Sequence, residues 1–253
     1  MIYVVLPAYN EAEALPRLLH RIADTSAAHF AQCPLHVLVV DDGSADDTAA
    51  QAQRVATARA DDLRLELIQH PTNRGLGEAI KTGLLAALAR AQSSDDVIVT
   101  MDSDDTHIPA LILRMKQLVE EGSDLVIASR YQPGARMVGI PWYRQLFSNT
   151  LSLLFRLTYP IPGARDYSCG YRAYRAGALR AALARFGDQL FIERGFTCMV
   201  DLLIKLHAAG AVVNEVPMIL RYDRKPGPTK MPFFKTIVQT LRLLTRRRLG
   251  LMD

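Results

Sequence analysis

Cysteine is scarce in this chain and odd in number. Cys33, Cys169 and Cys198 fit no metal-ligand spacing; they suit a reducing compartment and are expected to pack as small apolar residues. No apolar run approaches the roughly 18 residues that a membrane-crossing helix needs. The opening stretch MIYVVLPAYN has no basic leader and no cleavage site, so a signal peptide is not expected. Internal repeats and low-complexity segments are also missing. The pair Gly75-x-Gly77 lacks the third glycine of a dinucleotide fingerprint and stands outside the first βαβ unit, which leaves tight loop packing as its reading. What is present is a chain of 253 residues, 49% of them apolar, enough for a sizeable core in one large α/β domain or two small ones. Its net charge of +4 is uneven. Residues 221–253 hold nine Lys/Arg and two Asp, a balance of +7, which leaves −3 for the rest. A basic end on a mildly acidic body predicts an anionic partner for that end, either a lipid surface or a phosphorylated ligand.

Mainly apolar runs at 2–6, 35–40, 97–101 and 124–129 and the stretch LRLELIQ at 63–69 predict strands. Helical patterns lie between them, at 10–24, from 44 or 46 to 60, at 78–90 and at 110–121. This alternation predicts parallel βαβ units with helices on both faces of a sheet. Farther on, 132–141 reads as a loop and 142–159 as an unusually apolar helix. A short strand is expected at 171–174, helices at 177–185 and 195–210, and an edge strand at 212–220 interrupted by Pro217. Residues 223–230 form a polar loop, and 232–249 a basic helix with Phe234, Ile237, Val238, Leu241 and Leu244 on one stripe and Lys235, Arg242, Arg246 and Arg247 opposite.

The run VIVTMDSDDTH at 97–107 carries the most chemistry. Its strand ends in Asp102, Asp104 and Asp105. Alternation along a strand would turn Asp102 and Asp104 into one space above the sheet edge. Two such carboxylates suit a hard divalent ion, Mg²⁺ or Mn²⁺, which would bring a diphosphate with it. A solvated acidic turn capping the next helix is the other reading. Pro7-Ala8-Tyr9-Asn10-Glu11, Asp41-Asp42-Gly43-Ser44 and Ser129-Arg130-Tyr131 fall at the ends of strands that would be neighbours.

Taken in order, VVLPAYNEAEAL, VVDDGSADDT, NRGLGEAIKTG, VTMDSDDTHIP, GSDLVIASRY, WYRQLFSNT, DYSCGYRAYR and RKPGPTKM resemble the family-two glycosyltransferases of the GT-A fold, and within them the dolichol- and polyprenyl-phosphate mannose synthases. The resemblance implies an α/β GT-A fold: a mostly parallel central sheet with helices on both faces and a Rossmann-like nucleotide-binding half. It implies a single domain over 1–231, with a nucleotide-sugar half at 1–105 and an acceptor half at 106–231, followed by a basic amphipathic helix at 232–253. Pro7, Tyr9, Glu11 and Asp42 match the nucleoside pocket, and Asp102 and Asp104 the metal ligands. Arg224 and Lys230 match a mobile loop that closes over the donor phosphates, and Arg130, Arg144 and Ser148 the residues that hold an acceptor phosphate. Thr106 departs from the family, which commonly has Gln there as a further metal ligand; His107 is a substitute to consider. The chain also shows none of the transmembrane segments that some members carry.

The activity implied is inverting, metal-dependent transfer from a nucleotide sugar, GDP-mannose or a UDP-hexose, to a polyprenyl or dolichyl phosphate. Asp104, Arg130, Arg144, Arg224 and Lys230 are the expected catalytic set. A phosphate monoester is already an anion near neutral pH and needs positioning, whereas a sugar hydroxyl needs a base; Asp166 and Glu193 are the spare carboxylates nearby. The expected setting is cytoplasmic, peripheral on the cytoplasmic face of an anionic membrane, with no nucleic acid and with room for a membrane-anchoring partner protein. Three other readings stay open at this point. One is a family-two enzyme with a hydroxyl acceptor. Another is a haloacid-dehalogenase-type phosphatase, since Asp102-x-Asp104-x-Thr106 fits its motif. The last is an inactive nucleotide-sugar-binding scaffold.

Overall fold

The structure, a computed structural model, describes residues 1–193, 195 and 197–225; for Tyr143, Arg144 and Phe147 it describes the backbone alone. The expected basic helix at 232–253 and Lys230 lie outside the described residues. Nine strands and seven α-helices are described. The first half runs β1 (Ile2–Ala8), α1 (Leu15–His29), β2 (His36–Asp41), α2 (Thr48–Ala58), β3 (Arg64–Gln69), α3 (Leu76–Arg90) and β4 (Val97–Thr100). The second runs α4 (Leu111–Glu120), β5 (Leu125–Ser129), β6 (Arg136–Val138), α5 (Trp142–Thr158), β7 (Arg172–Arg175), α6 (Ala176–Phe186), α7 (Cys198–Ala208), β8 (Val213–Pro217) and β9 (Ile219–Arg221).

Seven strands form one sheet in the order β3-β2-β1-β4-β7-β5-β8, with only β7 antiparallel to its neighbours. The chain moves outward from β1 to β3, then returns to place β4 on the far side of β1. Right-handed crossovers therefore put α1 and α2 on one face and α3 on the other. Packing agrees: α1 lies on α2, while α3 lies on β1 and β2 and meets α6 and α7. Gly83 lets α3 sit that close, since a Cβ there would stand 2.2 Å from Val5 Cγ1. The apolar runs of β1, β2, β4 and β5 are buried almost without interruption, as strands covered on both faces must be. No helix among the described residues is long and apolar enough to cross a membrane.

Several expectations needed correction. α1 begins at Leu15, not at Asn10, because residues 10–12 are bonded to the loop after β2 instead. The expected loop at 132–141 contains β6, which pairs parallel with β9 in a separate two-stranded sheet. The expected strand at 212–220 is two strands. Pro217 ends β8 opposite Ser129, the Met218 amide donates to Ser129 O (3.1 Å), and the chain passes to the second sheet.

Candidate active site

The gap between β1 and β4 is where the strand order reverses, the usual position of a ligand in an open α/β sheet. The loops above it are tied to each other rather than left to solvent. Asn10, at φ +54°, donates its amide to Ser44 Oγ (2.9 Å) and accepts the Ala45 amide on Oδ1 (2.8 Å). The Glu11 amide donates to Thr48 Oγ1 (2.8 Å), and the Ala12 amide to Asp46 (3.1 Å). Asp46 also accepts the Thr48 amide (3.0 Å) in the turn before α2, whose N-cap is Asp47 without a side-chain bond, so α2 starts later than the expected 44 or 46. Ser103 Oγ donates to Pro7 O (2.8 Å), fastening the acidic turn to the end of β1. Tyr9 stays 39% exposed beside this seam.

Asp42 is buried and heavily used. It accepts the amides of Arg74 (2.9 Å) and Gly75 (2.8 Å) and lies 2.7 Å from His70 Nδ1. It thereby holds the loop before α3 against the end of β2. Gly43 permits this approach, since at φ +68° a Cβ would lie 2.5 Å from the Thr72 carbonyl carbon.

The strand β4 ends at Thr100, so Asp102 and Asp104 lie in a turn and strand alternation does not place them. Side-chain contacts place them instead. Asp104 accepts from Thr106 Oγ1 (2.6 Å) and from the Thr106 amide (3.2 Å) on one oxygen, and from Lys225 Nζ (2.6 Å) on the other. Thr106 therefore aims Asp104. Asp105, at φ +60°, turns away to pair with Arg21 of α1 (2.6 Å). Asp102 is 48% exposed at its side chain. The buried His107 stacks on Tyr171, accepts the Asp102 amide on Nδ1 (3.4 Å) and brings Nε2 to 3.9 Å from the Asp102 carboxylate. Partial burial raises the Asp102 carboxyl against the nearby His107, and the charge of Asp104 adds to the rise. Burial works the same way on Asp104, but Lys225 and His107 outweigh it and hold that carboxyl below its ordinary value.

Gly170 bears on the same carboxylate. A Cβ there would stand 2.9 Å from Asp102 Oδ1, so the glycine keeps room for that group. Its carbonyl is fixed by Thr100 Oγ1 (2.7 Å). Two oxygen-donor carboxylates, one neutralised by an ammonium and the other open and kept clear, fit a hard divalent cation with positions left for further oxygens.

At the end of β5, Arg130 donates from Nε and Nη2 to the two oxygens of Asp166 (2.8 and 2.7 Å), and from Nη2 to Ser168 Oγ (2.8 Å). Asp166 is fully buried and also accepts the amides of Arg130 and Cys169 (both 3.1 Å). Burial would raise its carboxyl, but the charge and hydrogen bonds of Arg130 hold it below the usual range. Asp166 is thus no spare base. Arg130 lies 5.4 Å over the Tyr131 ring, and the Tyr131 hydroxyl meets Ser148 Oγ of α5 at 2.5 Å. Arg130 and Ser148 therefore share one cluster. Arg144 is on α5, one turn before Ser148, with its side chain outside the described residues. Beneath the cluster the fully buried Arg172 donates to the carbonyls of Tyr167, Cys169 and Met199 (2.7–2.9 Å) and fixes the loop that carries Asp166.

The fourth side of the site is the chain after β9. The Arg221 amide donates to Thr106 O (2.9 Å), and the turn Tyr222–Arg224 follows. The charges of Arg21 and Arg221 reach Arg224, and so does that of Asp105. Lys225 and Gly170 are the residues that sequence reasoning missed.

Residues 3–183 match glycosyl transferase family 2. The polyprenol monophosphomannose synthase of Mycolicibacterium smegmatis is 36% identical over 228 residues, which cover 90% of this chain and 80% of that protein. The undecaprenyl-phosphate mannosyltransferase of Micrococcus luteus is 36% identical over 91% of this chain and 87% of its own. Among solved structures, glucosyl-3-phosphoglycerate synthase from Mycobacterium tuberculosis, in complex with Mn²⁺, uridine diphosphate and phosphoglyceric acid, superposes with a TM-score of 0.62 at 20% identity. That likeness covers 99% of this chain and 78% of that one. The family match takes in the ends of β1, β2, β4 and β5, on which most of the site is built, and with that sheet order the chain belongs to glycosyl transferase family 2 and has the GT-A fold.

Proposed function

We propose that this protein transfers a sugar, with inversion, from a nucleotide sugar to a polyprenyl phosphate. GDP-mannose or a UDP-hexose is the donor. Pro7, Tyr9, Glu11 and Asp42 border the nucleoside side. Asp102 and Asp104 hold Mg²⁺ or Mn²⁺, which when bound neutralises the charge of the departing diphosphate. Arg224 stands beside this turn, and Lys230 follows it in the chain.

The observation that carries the acceptor is the state of Asp166. A hydroxyl nucleophile needs a base that can take its proton. The carboxylate beside Arg130 is enclosed, ionised and bound on both oxygens. Glu193 accepts from Thr197 Oγ1 in its own turn (2.7 Å). A lipid phosphate arrives already ionised and needs only fixed cations and donors, which Arg130, Ser148 and, by position, Arg144 supply. The names of the two mannosyltransferase relatives support the same acceptor.

A membrane-facing surface goes with this reading. Trp142, Leu146, Leu153 and Leu157 are 76%, 58%, 53% and 74% exposed and form one stripe along α5. The opposite side of the same helix is anchored by Ser148, by Ser152 Oγ on Arg165 O (2.7 Å), and by buried Phe155 stacked on Tyr167. An apolar stripe left exposed along a helix whose other side carries Ser148 suits a helix lying in a lipid interface, on the cytoplasmic face where nucleotide sugars are made available.

A donor screen tests the proposal: a panel of nucleotide sugars, Mg²⁺ or Mn²⁺, and a short polyprenyl phosphate or a hydroxyl acceptor. Lipid-phosphate glycosylation that Asp104→Ala reduces by at least about a hundredfold, with the fold retained, is expected. Turnover only on hydroxyl acceptors would replace the acceptor assignment, and unchanged turnover in Asp104→Ala would remove the metal assignment.

A further inference from the structure

Lys225 reaches Asp104 across 121 residues of chain, and the two side chains are only 13% and 12% exposed. Each oxygen of Asp104 has a distinct partner: Oδ1 takes Thr106, and Oδ2 takes Lys225. Among the described residues the Asp102 carboxylate accepts no hydrogen bond. A divalent ion shared by the two carboxylates would therefore have to take the oxygen that the ammonium now holds. A dication and an ammonium at one oxygen would stand roughly 4 Å apart, where their repulsion is many times RT unless water screens it fully. The ammonium and the ion therefore compete for that oxygen.

The lysine has somewhere to go. The Arg221 amide on Thr106 O and the pairing of β9 with β6 hold the backbone up to residue 221, so release of the ammonium leaves that anchor intact. A four-carbon stem lets the charge swing several ångströms without moving the strand. The Tyr222 ring, with its centroid 5.7 Å from Nζ, already offers an aromatic face on the way.

We propose that Lys225 is the resident counter-cation of the Asp102–Asp104 site, holding the Asp104 carboxylate in place until a divalent ion displaces it, after which its charge serves the donor diphosphate. The inference rests on the reading of Asp102 and Asp104 as metal ligands. It makes Lys225 a positioning residue that disfavours metal alone and favours metal arriving with a diphosphate.

The test is Mn²⁺ binding by electron paramagnetic resonance without nucleotide, on the full chain, its fold checked by circular dichroism. Lys225→Met and Lys225→Gln should bind Mn²⁺ at least about tenfold more tightly than the parent, and Lys225→Arg within about threefold of it. Asp104→Asn should lose the ion in every background. Affinity in Lys225→Met and Lys225→Gln equal to or weaker than the parent overturns the proposal, as does equal tightening in Lys225→Arg. Retained binding in Asp104→Asn would instead overturn the metal reading beneath it, so the two failures are told apart.

Discussion

Replacing Asp166 separates two roles that a carboxylate beside the acceptor cluster could play. In the structure it anchors Arg130: two charge-assisted hydrogen bonds to the guanidinium and two backbone amides converge on a fully buried carboxylate. Breaking a buried pair by removing one partner costs about 3–5 kcal/mol. Arg130 keeps 19% of its side chain in water, which brings that term to about 2–3 kcal/mol. Two orphaned amides add about 1 kcal/mol each. Asp166→Ala should therefore lose about 4 kcal/mol, and Asp166→Asn, which retains one acceptor oxygen, about 2 kcal/mol. For a chain of this size each kcal/mol lowers Tm by about 2–4 °C. Urea unfolding and thermal melts read the loss, and acceptor KM should rise with it. The pH dependence has a definite sign. A carboxyl held below its ordinary value stabilises the fold above the unfolded pKa of about 4, and that contribution is lost as pH falls through the folded value. The difference between parent and Asp166→Asn should be flat from about pH 6 to 8 and shrink in acid. A general base would behave otherwise. Asp166→Asn with stability within about 0.5 kcal/mol of the parent, unchanged KM and kcat reduced about a hundredfold would refute the anchor.

Other outcomes follow from the same geometry. Gly170→Val should weaken Mn²⁺-dependent donor binding while leaving the melting profile close to the parent, because the added carbon atoms meet the Asp102 carboxylate; equal donor affinity by calorimetry would count against that crowding. Burial pushes the thiols of Cys169 and Cys198 up to about 12, so at pH 8 a maleimide should label Cys33 ahead of the similarly half-exposed Cys198 and the buried Cys169 in the native protein, and all three after denaturation, as mass spectrometry would show. Sedimentation with vesicles should show binding that Leu146→Glu with Leu157→Glu reduces severalfold, and a preference for anionic lipid that salt removes; equal binding to neutral vesicles would remove the electrostatic part. Arg144→Ala should raise the KM for polyprenyl phosphate about tenfold or more, and unchanged acceptor kinetics would end that residue's assignment.

The sequence by itself determined the alternation of the first half. The strands at 2–8, 36–41, 97–100 and 125–129 are almost continuous apolar runs, and burial on both faces demands that composition whatever the neighbours are, while the edge strand at 64–69 alternates polar and apolar residues and is only half-buried. The acidic turn and the order of the motifs were legible for the same local reason, and they sufficed to identify the family. Tertiary structure alone decided what depends on distant partners. β7 is inserted antiparallel between β4 and β5, and β6 exists only because β9 lies beside it; neither pairing leaves a local period in the chain. Asp102 and Asp104 look like strand-end residues, yet they are set by Thr106, His107, Gly170 and Lys225 after the strand has stopped. Asp166 looks like a spare carboxylate in the sequence and becomes a buried anchor once Arg130, 36 residues earlier, folds onto it. A side chain's charge can be read from its letter. Whether that charge is free to react is set by the groups that fold against it.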